Sequence, residues 1–166
     1  MRPIEDRLLD AASARARSGA RRRHMHNFHQ DYGEPIQRML NALEPDSYVQ
    51  PHRHPPGSDV EVFVGLRGRL GVLEFDEAGA VRGAFVVDPA GPVRGIEIPS
   101  GTWHTILALD PGTVAYEVKA GPYDPASAKE PAPWAPPEGD PLAPEALARF
   151  RAAFAAAPPH APAAAT

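Results

Sequence analysis

Two short stretches carry residues whose types and spacing suit metal chemistry. In "YVQPHRHPPGSDVEVFVGL", His52 and His54 stand two apart, and two acids, Asp59 and Glu61, flank Val60. Much later, "IPSGTWHT" supplies His104. Side chains two apart on an extended chain share a face, so His52 and His54 point one way and Arg53 the other; two imidazoles so placed can share one ion. The chain has no cysteine. Disulfides and zinc-thiolate sites are therefore excluded, and any metal must be held by imidazole and carboxylate or carbonyl oxygen.

Such groups need strands to position them. From Ile36 to Lys119, short runs rich in Val, Ile, Phe and Leu alternate with Gly, Pro and Asp. They predict eight strands: "IQRMLNAL", "SYVQPH", "VEVFVGL", "RLGVLEF", "VRGAFVV", "RGIEIP", "WHTILAL" and "TVAYEVK". Turn chemistry separates them at Arg67-Gly68, Asp76 to Gly79 and Asp110-Pro111-Gly112. The fold class is all-β, with eight antiparallel strands in a jelly roll or small barrel. In "VEVFVGL", Glu61 and Phe63 face one side and Val60, Val62, Val64 and Leu66 the other. An inward Glu61 is costly unless it is paired or coordinates a cation. His104 and Ile106 would point inward from a later strand, so a third imidazole could arrive from across the barrel.

Three parts are expected. Residues 1–20 form an N-terminal helical arm, with Ile4, Leu8, Leu9 and Ala12 at helical spacing and Gly19 as the stop. Residues 21–140 form the barrel with its covering segments, including the proline-rich "AGPYDPASAKEPAPWAPPEGDP", whose Tyr123 and Trp134 predict that it lies extended against the barrel. Residues 141–166 hold a short helix, "PEALARFRAAFAA", and a disordered Ala/Pro tail. The chain of 166 residues carries a net charge of -4, which gives no electrostatic reason to seek nucleic acid or an anionic membrane. The start lacks the unbroken apolar run of a signal peptide and no stretch reaches membrane-span length, so a cytoplasmic protein is expected.

The chemistry-bearing stretches resemble a known family. His52-x-His54, then Glu61 followed by six residues and Gly68, is similar to the first cupin motif, and Pro99-x-Gly101-x-x-His104 to the second. Together "RRRHMHNFHQ", "QRMLNALEPDSYVQPHRHP", "FVGLRGRLGVLEFDEAG", "IPSGTWHT", "YEVKAGPYDP" and "KEPAPWAP", over about residues 21 to 139, resemble the WbuC family of cupin-fold metalloproteins, found in bacterial surface-polysaccharide contexts. The resemblance implies a cupin double-stranded β-helix, and one divalent ion held by His52, His54, Glu61 and His104. It also implies a homodimer. Six residues separate His54 from Glu61, where many cupins have three or four. Asp59 would meet that commoner spacing but would put Leu66, not Gly68, at the glycine position. Ala108 stands where the second motif often has asparagine.

Three imidazoles and one carboxylate leave two open positions on an octahedral ion, which suits Fe, Mn, Ni or Zn and the binding of a substrate oxygen pair, water or dioxygen. Arg38, Tyr48 and Lys119 are expected beside or opposite the ion, where they could orient an anionic or hydroxylated substrate. The WbuC pattern adds Asn27 and His29 as pocket candidates. Arg21 to Arg23 either grip a phosphate or form a solvated basic turn. The expected function is a metal-dependent small-molecule enzyme acting on a sugar, sugar nucleotide or sugar-derived metabolite by isomerase, epimerase or oxygenase chemistry. The alternative is a non-catalytic module that binds or senses a carbohydrate or other metabolite.

Overall fold

The computed structural model describes residues 1–55 and 60–156. Asp59 and the tail after Ala156 lie outside the described residues, so neither the alternative acid nor the expected disorder can be placed.

Helix α1 (Asp6–Ser18) carries Asp6 in its first turn and Arg15 and Arg17 in its last, matching the helix dipole at both ends. The N–H of Gly19 closes it on the carbonyl of Arg15 at 3.0 Å. Ten strands follow among the described residues: β1 (Arg23–Asn27), β2 (Ile36–Leu43), β3 (His52–Arg53), β4 (Glu61–Arg67), β5 (Leu70–Phe75), β6 (Val81–Val87), β7 (Gly95–Ile98), β8 (Trp103–Ala108), β9 (Thr113–Ala120) and β10 (Glu130–Pro131). Helix α2 (Ala143–Ala156) ends the described chain. The strands form two antiparallel five-stranded sheets, ordered β1-β2-β9-β4-β7 and β10-β3-β8-β5-β6.

Seven of the eight predicted strands lie on β2 and β4 to β9. The eighth, "SYVQPH", contributes only His52 to β3, because its backbone is engaged elsewhere. The carbonyl of Tyr48 accepts from Arg23 (2.7 Å) and that of Val49 from the Thr105 hydroxyl (2.7 Å), while the Pro51 carbonyl takes the Ala132 N–H (2.8 Å). The polar strand β1 and the two-residue β10 have no apolar alternation and are not legible as strands.

Three apolar clusters hold the layers. Between the sheets lie Leu43, Phe63, Leu70, Val72, Ile98 and Ile106. On the outer face of the first sheet, Leu9, Ala12 and Ala16 of α1 pack on Leu40, Ala42 and Val114. On the outer face of the second, Ala146, Leu147 and Phe150 of α2 pack on Leu73, Phe75, Trp103 and Leu107. Strand β8 is consequently buried along its whole length. Ile4 of the expected helical stripe precedes α1 and is exposed. The proline-rich segment lies against the second sheet: Trp134 packs on Phe75 with ring centroids 5.0 Å apart, and β10 pairs with β3. Gly68, between β4 and β5, has φ +62°, and a Cβ there would meet the Thr113 hydroxyl at 2.7 Å.

Phe150 lies between Tyr48 and Phe75, so Phe150→Ala should lower stability by about 3 kcal/mol and the melting temperature by roughly 10 °C. Thermal denaturation followed by circular dichroism measures this. An unchanged transition would show that α2 does not belong to the cooperative unit.

Candidate metal centre

Each group reaches the interior by strand parity. On β4, Glu61 and Phe63 are buried, 4% and 2% exposed, whereas Val64 is exposed. On β3 and β8, His52 and His104 are direct cross-strand partners. His54 follows just past the end of β3. His104, which could have arrived from across the barrel, comes from the strand beside His52, and Glu61 arrives from the opposite sheet. Among the described residues, His52, His54, Glu61 and His104 form a cluster whose ligand atoms all lie within 4.8 Å of one another.

The backbone fixes how these rings are presented. Nδ1 of His52 lies 3.0 Å from the carbonyl of Gln50, that of His104 2.8 Å from Thr102, and that of His54 2.7 Å from Ala128. A carbonyl only accepts, so each Nδ1 must carry the proton and donate it, and in the neutral ring Nε2 is then the lone pair. Those lone pairs face a carboxylate: Glu61 Oε2 is 3.1 Å from His104 Nε2 and 3.4 Å from His54 Nε2, and the latter atom is buried without a hydrogen bond. Lone pairs converging on an anion require positive charge between them, either protons or a cation. Burial, followed by the neighbouring His104, holds His52 well below the ordinary imidazole range and so disfavours a proton there. Burial also raises the cost of charge on Glu61, but the neighbouring His104 and His54 and the charge of Lys119 outweigh it and keep the carboxylate ionised. The donor set fits a first-row divalent ion.

Of the predicted pocket candidates, Lys119 reaches the site. It is the cross-strand partner of Glu61, with its ammonium 3.6 Å from Glu61 and 2.9 Å from Glu117. Arg38 does not: it projects from the outer face of β2 and pairs with Glu34, because the inward residues of that strand are the odd-numbered ones. Tyr48 does not either. Its ring stacks on Phe150 under α2 and its hydroxyl donates to the Pro136 carbonyl at 2.8 Å. His29 is buried apart from the cavity and its Nδ1 accepts the Arg38 N–H at 3.1 Å. Asn27, at the exposed end of β1, does not line the cavity.

Two buried groups, Glu117 and Asn41, escaped the sequence reading. Glu117, on the inner face of β9, bonds to Lys119 and accepts from the Asn41 amide. Burial and then the charge of Glu61 push Glu117 up to about 7, against the opposing pull of Lys119. A carboxyl that holds its proton near neutrality is suited to proton transfer. The alternation in "TVAYEVK" does place Glu117 on the face of Lys119, and that was the available signal.

The chain beyond β9 helps build the site. Residues 121–135 form a strap over the open end of the sandwich, and the strap supplies the Ala128 carbonyl that orients His54. Arg53 secures it, donating to both carboxylate oxygens of Glu130 (2.8 and 3.2 Å) while its guanidinium lies 4.3 Å over Trp103.

Two outcomes follow for metal titrations of purified protein. Glu61→Gln should weaken divalent-ion binding by more than about 100-fold, beyond the ~10–100-fold loss typical of a group that only orients a ligand. Arg53→Ala, which loosens the strap, should cost about tenfold with little change in circular dichroism. Equal affinity in Glu61→Gln and the unaltered protein would remove Glu61 from the ligand set.

No curated protein sequence matches the chain. Among solved structures it is similar to the capsular polysaccharide assembling protein CapF from Staphylococcus aureus, at 18% identity and TM-score 0.52 over 65% of this chain and 31% of that one. A structure of CapF with the inhibitor 3-isopropenyl-tropolone aligns at 21% identity and TM-score 0.50, over 65% and 33%. A mutant of Bacillus subtilis oxalate decarboxylase aligns at 21% identity and TM-score 0.46, over 64% and 30%. The chain thus spans about a third of the length of each of these proteins, and the likeness shows the fold, a cupin-type jelly roll. A family model matches residues 4–87, a stretch that runs from α1 to the end of β6 and contains His52, His54 and Glu61 but not His104. The chain belongs to that family, described as a domain of unknown function, DUF6016.

Proposed function

We propose that this chain is a divalent-metal cupin enzyme that acts on a sugar or sugar-derived metabolite, by isomerase, epimerase or oxygenase chemistry, in surface-polysaccharide synthesis. One observation carries the reading: three imidazoles, each fixed by a backbone carbonyl, present Nε2 lone pairs with a buried carboxylate at the floor of a cavity. A structural site would be closed over, whereas this one opens on a cavity.

When bound, an iron, manganese, nickel or zinc ion would supply Lewis acidity toward a substrate oxygen. The chain supplies the rest. Its backbone carbonyls hold the three rings in one tautomer, Lys119 ties Glu61 to Glu117, and the strap limits solvent access from the side of Ala128. The sugar and polysaccharide part of the reading rests on the resemblance to the WbuC pattern. It is supported by a fold shared with CapF, itself a capsular polysaccharide assembling protein.

Elemental analysis before and after loading, followed by a panel of keto-sugars and sugar nucleotides assayed with and without chelator, tests the proposal. The expected result is about one ion per chain and a turnover that chelation abolishes. His104→Ala should remain folded but lose both the ion and the turnover. A protein that takes up no ion after loading would overturn the metal reading. Tight binding of a sugar with no product under any metal would replace the enzyme with a binding module.

A further inference from the structure

The cavity above the four clustered side chains has two lobes, which share His54, Glu61, Lys119 and Tyr123. The smaller, of about 120 Å³, runs toward Arg21, Arg23 and Lys129. The larger, of about 310 Å³, runs under the strap toward Asp124 and Ser127. The two ends differ in charge.

At the first end, three cationic side chains meet one carboxylate. Arg21 (2.8 Å) and Arg23 both bind Glu138, so two guanidinium groups share a single negative charge. Lys129 forms no ion pair among the described residues. The excess is local, since the whole chain is net negative at -4. It is also held in place: the Arg23 side chain is only 14% exposed, and it donates to the Tyr48 carbonyl at 2.7 Å. Lys129 lies on the surface beside this cluster, where Arg23, Lys119 and Arg21 repel its charge and Glu138 attracts it. An anion placed among them would relieve that repulsion and gain charge-assisted hydrogen bonds.

The other end lacks such an excess and offers hydrogen-bonding groups instead. Asp124 accepts from the Ser127 hydroxyl at 2.7 Å, and the ring of Tyr123, with Lys119 5.2 Å from its centre, forms part of the wall. A carboxylate beside a hydroxyl and an aromatic ring suits the hydroxyls and C–H faces of a sugar, and the same carboxylate repels an anionic group.

We infer that the cavity takes a polyhydroxylated anion of monosaccharide size, with its charged group among Arg21, Arg23 and Lys129 and its hydroxyls toward Asp124 and Ser127. This assignment rests on the metal-cupin reading and narrows its substrate class. The oxygens between the two ends would lie over the four clustered side chains.

Calorimetric titration with glucuronate, glucose 6-phosphate, glucose and cyclohexanecarboxylate tests it, with metal content measured on the same samples. Either glucuronate or glucose 6-phosphate should bind about tenfold or more tighter than glucose, the ratio expected for one charge-assisted hydrogen bond, and the stronger of the two identifies the anion as carboxylate or phosphate. Cyclohexanecarboxylate, with charge but no hydroxyls, should also bind more weakly. Lys129→Glu should erase the preference over glucose while leaving metal content unchanged. Glucose binding as well as both anions, no binding of either anion, or an unaltered preference in Lys129→Glu would overturn the inference. A protein that takes up no metal after loading and still prefers the anion would sink the metal reading and leave the charged end standing.

Discussion

A carboxylate buried between two apolar sheets must be met by positive charge, and much of this molecule follows from how Glu61 is met. In an apolar medium an unpaired carboxylate is prohibitively costly. Here the Lys119 ammonium at 3.6 Å meets it on one side, with Glu117 placed to share that ammonium, and two imidazole Nε2 atoms within 3.4 Å lie on the other. The arrangement is asymmetric. On the Lys119 side charge is balanced within the protein, whereas on the histidine side the rings are turned so that they offer lone pairs instead of protons. A set of side chains built only to neutralise Glu61 would present N–H groups to it. These rings spend their N–H groups on Gln50, Thr102 and Ala128, which leaves a cation as the natural complement.

That orientation ties distant parts of the chain together. His52 and His104 take their carbonyl partners from two residues earlier in the chain, Gln50 and Thr102, just before β3 and β8, so their geometry is local. His54 lies beyond β3, and its partner is 74 residues away on the strap. The strap in turn depends on Arg53, which points outward between the two inward histidines. The alternation that sends His52 and His54 to the cavity therefore also sends Arg53 to Glu130 and Trp103. The proline-rich segment thus belongs to the site.

Strand parity explains both what could be read in the sequence and what could not. Alternation in "VEVFVGL" was enough to place Glu61 and Phe63 inside, and the spacing of His52, His54 and His104 gave three more members of the cluster. Parity misled at Arg38, where β2 turns its even-numbered residues toward α1, a choice set by the apolar pair Leu40 and Ala42 and not by the arginine. It had no meaning at Tyr48, because Pro51 and the side-chain bonds to the preceding carbonyls keep that segment out of the ladder. Glu117 was missed for a different reason. A single acid on a strand reads as a solvated residue until the register sets it opposite Phe63, with Lys119, two residues along the same face, opposite Glu61.

Devoting one end of the interior to charged and polar groups leaves less of the sandwich to be filled by apolar ones. Leu43, Phe63, Leu70, Val72, Ile98 and Ile106 occupy the rest, and Leu43, Phe63 and Ile106 reach the wall of the cavity that His52, Glu61, His104 and Glu117 line. Removing an apolar end from a core of this size weakens it, since burial scales with apolar area. The chain recovers that area outside the sandwich. Each sheet carries a helix on its outer face, and the second sheet is further covered by Trp134, Ala132 and Ala135 of the strap. Apolar burial on the outer faces thereby adds to the core between the sheets, and the polar end of the interior can remain open.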